Sequence, residues 1–269
     1  MDEKRLGLIA GNGKFPILFA KEAKLLDYKI IAAGIRGDTS LLLKPYVNKL
    51  NIFNVGDLKG LFSYFESEEV RQVVMAGQVN PDNLFSDNVI LDDDFKDLFN
   101  AIKDRKADTI FSAVADKLKE HKIELIDSTF LIKNHLAPKG TLTRRAPTLD
   151  EIADIDFGRQ IAKTMGGIDV GQTVVIKEKA IVAIEAMEGT DKTILRGGTI
   201  SKGGAVVVKM SKPHQDLRFD VPVVGPRTIK HMVKSKCRCL AIESGKTIMI
   251  DHEKTIQLAD RFKICIVAV

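Results

Sequence analysis

Three observations predict a two-part α/β chain. Strand and helix signals alternate through residues 6–126, glycine turns follow two of the strands, and composition changes abruptly near residue 133. Alternation of this kind implies a parallel, doubly wound sheet with its binding edge at the carboxyl ends of the strands. The N-terminal α/β domain is expected over residues 1–132, a linker over 133–148 and a C-terminal α+β domain over 149–269.

Leu6–Ala10 is a short apolar run closed by Gly11-Asn12-Gly13, and Pro16 suits the first turn of the helix that follows. Ile30–Ala33, Asn51–Val55, Val73–Ala76 and Ile123–Ile126 supply further strands, with helical patterns at 57–67, 93–104 and 107–120 between them. The second glycine turn is 76-AGQVNPDN-83. The stretch 133-KNHLAPKGTLTRRAPT-148, with two prolines, a glycine and several basic residues, reads as the linker. An amphipathic helix is expected over 149–165. A hairpin is expected between Thr173–Ile176 and Ala180–Ala186, turning at Glu178-Lys179. Strands at Ala205–Met210, Cys239–Ile242, Thr247–Ile250 and Ile264–Val269 follow, with helices near 227–235 and 252–262.

The 269 residues are 45% hydrophobic and 29% charged, which suits a globular chain of one or two domains. No apolar run is long enough to span a bilayer, and 1-MDEKRLGLIA lacks a signal core, so a cytoplasmic location is expected. Three cysteines at this spacing suggest neither a metal knuckle nor a disulfide framework, and small buried hydrophobes are the reading. The five histidines are dispersed, which argues against a histidine-rich metal centre, and the absence of G-x-S-x-G argues against a serine nucleophile. A net charge of +5 permits an anionic substrate or membrane surface without marking nucleic acid.

Three segments carry candidate chemistry. The turn at Gly11 and Gly13 invites a phosphate, but Pro16 occupies the third glycine position of a dinucleotide fingerprint, and no acidic residue closes the second strand. In 185-EAMEGTD-191, Glu185, Glu188 and Asp191 are hard oxygen donors beside the hydroxyl of Thr190. In 214-HQDLRFDVPVVGP-226, alternation predicts a strand with Asp216, Arg218 and Asp220 on one face. A straight strand would hold the two carboxylates about 13 Å apart, too far to share one ion. Asp220, stiffened by Val221-Pro222, is then the metal-ligand candidate, with Arg218 as a phosphate clamp or as the orienting partner of one aspartate. An exposed ion-pair strand has the same pattern.

AGNGKFP, AGQV, EGTD and PHQDLRFDVPVVGPRTI, in that order along the chain, resemble the LpxI-type UDP-2,3-diacylglucosamine pyrophosphatases of lipid A biosynthesis. The resemblance implies a Rossmann-like N-terminal domain, a C-terminal catalytic domain and a ligand cleft between them. It implies Mg2+-dependent hydrolysis of UDP-2,3-diacylglucosamine to 2,3-diacylglucosamine 1-phosphate (lipid X) and UMP, with water attacking the sugar-side phosphorus. By motif, Asp220 is the catalytic and metal-binding residue, with Arg218 beside it. Substrate contacts are expected at Gly11, Asn12, Gly13, Gly77, Gln78, Thr190, Asp191 and Gln215. Asp216 gains no secure role. The lipid-linked nucleotide sugar is the expected partner, the reading leaves room for inner-membrane surface contact through 230-KHMVKSKCR-238 and for a homodimer, and nucleic acid is not expected. An NAD(P)-dependent oxidoreductase and a non-enzymatic anionic-lipid-binding protein are the competing classes.

Overall fold

The structure, a computed structural model, describes residues 4–79, 91–104 and 106–269. It divides into two compact units. One comprises residues 1–132 together with Asp216–Asp220; the other comprises Lys133–Gln215 and Val221–Val269.

In the first unit, β1 (Arg5–Ala10), β2 (Lys29–Ile35), β3 (Lys49–Phe53), β4 (Gln72–Ala76) and β5 (Glu124–Leu125) form one sheet in the order β3-β2-β1-β4-β5. All its pairings are parallel. The strand order reverses between β1 and β4, so the switch point of the sheet lies where those two strands end. This is the parallel sheet expected from the alternation, and it agrees with the Rossmann-like domain that the resemblance implies. The helices are α1 (Phe15–Leu25), α2 (Leu58–Ser67), α3 (Asp93–Ala101) and α4 (Ala107–Glu120). Phe62 and Phe65 of α2 and Leu118 of α4 are fully buried in one core with Ile31 and Val73 of the sheet. Full burial of each such side chain contributes about 1.5–3 kcal/mol.

The second unit has a six-stranded mixed sheet in the order β6-β13-β11-β9-β7-β8. Its members are β6 (Gly140–Thr141), β7 (Thr173–Lys177), β8 (Ala180–Ile184), β9 (Val206–Lys209), β11 (Cys239–Ile242) and β13 (Cys265–Ala268). Strands β9, β11 and β13 run parallel, while β6, β7 and β8 join antiparallel to their neighbours. A separate parallel pair joins β10 (Val223–Val224) to β12 (Ile248–Met249). The helices are α5 (Leu149–Gly167), α6 (Thr190–Ser201), α7 (Pro226–Lys234) and α8 (His252–Arg261). All three cysteines are buried and unpaired.

Local chemistry accounts for most boundaries. A capping box of Thr148 and Glu151 starts α5, and Arg145 grips the same Glu151 with two hydrogen bonds of 2.8 Å. The β7–β8 hairpin turns at Glu178 and Lys179, both at positive φ, and the Asp154 carboxylate accepts both of their N–H groups.

Two expectations are corrected. Helix α6 lies where a solvated acidic loop was the alternative for 185–191 and where no helix was expected beyond it. Its three threonines and two glycines are poor helix formers, and tertiary packing overrides them. A Cβ on Gly197 would lie 2.7 Å from Val175 Cβ, and one on Gly198 would lie 2.1 Å from Ser235 Cβ. These glycines let α6 approach β7 and the end of α7. The strand expected over 214–226 survives only as Val223–Val224. Asp216 turns the chain instead: its Oδ1 accepts the Arg218 N–H, and its carbonyl accepts the Asp220 N–H at 3.1 Å. The alternation of charge is therefore not an alternation of faces, and the 13 Å separation inferred from a straight strand does not apply.

Candidate functional site

The two glycine turns meet at the ends of β1 and β4. Gly11 N–H donates to Ala76 O at 2.8 Å, Asn12 N–H to Gln78 O at 2.7 Å, and Gln78 N–H back to Asn12 O at 3.2 Å. The pair Asn12 and Gln78 thus bridges the switch point of the sheet. A Cβ on Gly11 would lie 2.6 Å from Gln78 O, and one on Gly77, whose φ is +89°, would lie 2.5 Å from Asn12 O. Glycine is required here by close backbone approach. The N–H groups of Gly11 and Asn12 are consequently spent on the backbone of the second turn. Gly13, with φ +95° and open space around it, remains exposed ahead of α1. Asn80–Asn83, the end of the second turn, lie outside the described residues.

Also in this unit, Asp216–Asp220 is held by groups that carry no sequence motif. Ser128, fully buried, donates both its N–H (3.1 Å) and its hydroxyl (2.8 Å) to Leu217 O. Phe219 packs against Phe111 with ring centroids 5.5 Å apart and joins the core. Arg218 Nε and Nη2 fork onto the Asp216 carboxylate, at 3.0 and 2.7 Å for the shortest contact of each. That fork holds the Asp216 carboxyl below its usual range against partial burial. Arg218 therefore orients Asp216, while its Nη1 makes no hydrogen bond among the described residues. Asp220 is half-buried at the end of the turn.

In the second unit, the carboxyl ends of the parallel strands carry a network of charges. Glu243, just after β11, accepts from Lys163 Nζ (2.6 Å), Ser211 N–H (2.9 Å) and Ser211 Oγ (2.6 Å), and pairs with Lys246. Burial alone would push its carboxyl up, but these donors outweigh it and bring it down to about 2. Since the folded value lies below the ordinary 4.5, the stabilisation is present above pH 4.5 and is lost as pH falls through about 2. Glu243→Gln should therefore flatten the loss of stability between those values by up to about 3 kcal/mol, read from urea melts at stepped pH. Next to Ser211, Lys212 pairs with Asp169, and its N–H donates to Gln215 Oε1 at 2.6 Å. Gln215 thus closes its own loop, the stem of the segment leading to Asp216.

Thr190 and Asp191 open α6, which has no side-chain cap. The Thr190 hydroxyl donates to Glu185 Oε1 at 2.8 Å and accepts from Lys209 Nζ at 2.7 Å. Asp191 is engaged by Arg227 Nε at 2.6 Å and lies 3.1 Å from His231 Nδ1. Glu188 pairs with Arg196, which outweighs burial and leaves its carboxyl below the usual range. EGTD is thus a set of satisfied pairs around one hydroxyl rather than a loop of solvated acids.

The residues expected to act together fall on both units: Gly11, Asn12, Gly13, Gly77, Gln78, Arg218 and Asp220 on one, Thr190, Asp191 and Gln215 on the other. Ser128, Lys163, Lys209, Ser211 and Glu243 escaped the sequence. Only Lys209 left a trace, as the single charge ending the apolar run 205-AVVVK-209. Among the described residues no three His, Cys, Asp or Glu side chains converge as a metal cage. Magnesium keeps waters and substrate phosphate oxygens in its shell, so a single half-buried carboxylate such as Asp220 fits it as a protein ligand.

Comparison with known proteins covers both units. The LpxI N-terminal domain matches residues 5–135 and the LpxI C-terminal domain matches residues 138–267. The UDP-2,3-diacylglucosamine pyrophosphatase LpxI of Caulobacter vibrioides is 28% identical over 279 residues, spanning 99% of this chain and 98% of the relative. A solved structure, the ADP complex of N5-carboxyaminoimidazole ribonucleotide synthetase, aligns with 65% of this chain and 32% of its own. Its identity of 16% and TM-score of 0.28 are too low to carry a fold assignment. With one domain of the family matched by each half and nearly every residue covered, the chain belongs to the LpxI family.

Proposed function

We propose that the chain hydrolyses the pyrophosphate of UDP-2,3-diacylglucosamine to 2,3-diacylglucosamine 1-phosphate and UMP, with Mg2+ as its cofactor. End-to-end agreement with a relative bearing that activity in its name is the observation that carries the reading. In the reaction, a water oxygen bonds to the sugar-side phosphorus, the bond from that phosphorus to the bridging oxygen breaks, and UMP leaves. Asp220 would hold the metal, which when bound neutralises phosphate charge and lowers the pKa of water. Asp216 fixes the guanidinium of Arg218, whose Nη1 is left to meet charge that develops on the phosphate. Thr190, held between an ammonium and a carboxylate, presents a hydroxyl of fixed orientation.

Among the described residues no helix is long and apolar enough to cross a membrane. The diacyl substrate is reached by contact with the cytoplasmic face of the inner membrane, and Lys230, Lys234, Lys236 and Arg238, all exposed, supply positive charge for anionic lipid. The test is incubation of the purified chain with UDP-2,3-diacylglucosamine, with mass-spectrometric detection of products. Lipid X and UMP should form in equal amounts with Mg2+ and cease with EDTA. Formation of neither product would remove the reading, and saturable micromolar NAD(P)H binding would favour an oxidoreductase.

A further inference from the structure

Lys209 ends the central strand β9, opposite fully buried Thr173 of β7, and is itself 8% exposed. An ammonium removed from water costs several kcal/mol unless it is paired. The other partly buried lysines nearby meet that cost: Lys163 lies on Glu243, Lys212 on Asp169, and Lys177 on the carbonyls of Ser201 and Gly203. Lys209 differs, because its one hydrogen bond among the described residues goes to the neutral hydroxyl of Thr190. Among the described residues, two of its three N–H bonds have no acceptor. Across the same hydroxyl, Glu185 Oε2 is buried and also lacks a hydrogen-bond partner among the described residues. A donor-rich cation and an acceptor oxygen thus flank Thr190, at the positive end of the uncapped α6.

We infer that Lys209, Thr190 and Glu185 form a subsite for a sugar phosphate. Lys209 donates to a phosphate oxygen, and Glu185 Oε2 accepts from a hydroxyl of the same ligand. Thr190 couples the two by donating to Glu185 and accepting from Lys209. Under the proposed reaction, on which this assignment rests, the phosphate held is one of the substrate's pyrophosphate pair. Lys209 is then a substrate-binding residue that balances phosphate charge.

The experiment compares wild type, Lys209→Met and Lys209→Arg in thermal melts with glucosamine 1-phosphate or inorganic phosphate, beside steady-state kinetics on UDP-2,3-diacylglucosamine. Wild type should be stabilised by glucosamine 1-phosphate more than by phosphate. In Lys209→Met the shift should vanish, and kcat/KM should fall about ten- to a hundredfold, the scale of a lost charged hydrogen bond. Its melting temperature without ligand should stay level or rise, because a buried charge has gone; a purely structural lysine would lower it. Lys209→Arg should recover part of the shift. An unchanged ligand shift or unchanged kcat/KM in Lys209→Met overturns the subsite, as does the absence of any shift in wild type. Wild-type turnover with equal kinetics in Lys209→Met would sink the subsite alone. A ligand shift lost in the variant, with no turnover in wild type, would sink the proposed reaction alone.

Discussion

Asp220→Asn should lose about a thousandfold or more in turnover of UDP-2,3-diacylglucosamine while keeping its fold, the scale reached when a pre-placed charge is removed from a phosphate reaction. The substitution is isosteric, and Asp220 is not among the fully buried core residues, so near-ultraviolet circular dichroism and the melting temperature should match wild type. Asp216→Asn, measured beside it, separates two roles. Asp216 fixes the guanidinium of Arg218, so its loss should cost less, about ten- to a hundredfold, and Lys in place of Arg218 should not restore the fork. If Asp216→Asn proved the more damaging of the two, the metal-holding role would have to move from Asp220 to Asp216.

Gly77→Ala should be the most damaging single-methyl change in the first unit, at about 3–5 kcal/mol. Two costs add. An L side chain at φ +89° is strained, and its Cβ would meet the Asn12 carbonyl at 2.5 Å, where backbone rather than a flexible side chain must yield. Gly13→Ala is the matched control: its φ of +95° imposes the same strain, but nothing lies within 4 Å of the new Cβ. It should cost only about 1–2 kcal/mol. Chemical denaturation of both variants reads the difference, which measures the contact between the two glycine turns. Equal destabilisation would mean that the approach of Gly11–Asn12 to Gly77–Gln78 is softer than the structure shows.

The glycines illustrate what sequence disclosed and what it concealed. Gly11, Gly13 and Gly77 are visible as turns after strands because the strands are apolar and short, and period and composition alone place them. That Gly11 and Gly77 each admit a neighbouring carbonyl is not visible, since a glycine that admits a phosphate and one that admits a carbonyl look alike in one dimension. The parallel sheet was legible for the same reason as the strands. Helix α6 was not, because its Gly197 and Gly198 weaken the local signal to satisfy contacts with Val175 and Ser235, which are distant in sequence. The stretch 216–220 misled in the opposite direction. Alternating charge mimics a half-exposed strand, but the short side chain of Asp216 captures the Arg218 N–H and folds the chain into a turn. Ser128 illustrates the residue that no pattern marks, since its importance lies in reaching Leu217 O from 89 positions away.

The burial of Lys209 has a similar origin. A lysine at the end of an apolar strand reads as a charge escaping to solvent, yet β9 lies between β11 and β7, so the strand end stays covered.

Hydrolysis of UDP-2,3-diacylglucosamine in 18O-water, with and without Mg2+, tests the account most directly. The label should enter the 1-phosphate of lipid X and leave UMP unlabelled, in a reaction that requires the metal and that Asp220→Asn abolishes. Label in UMP would contradict attack on the sugar-side phosphorus, and an unaltered substrate would contradict the proposed hydrolysis itself.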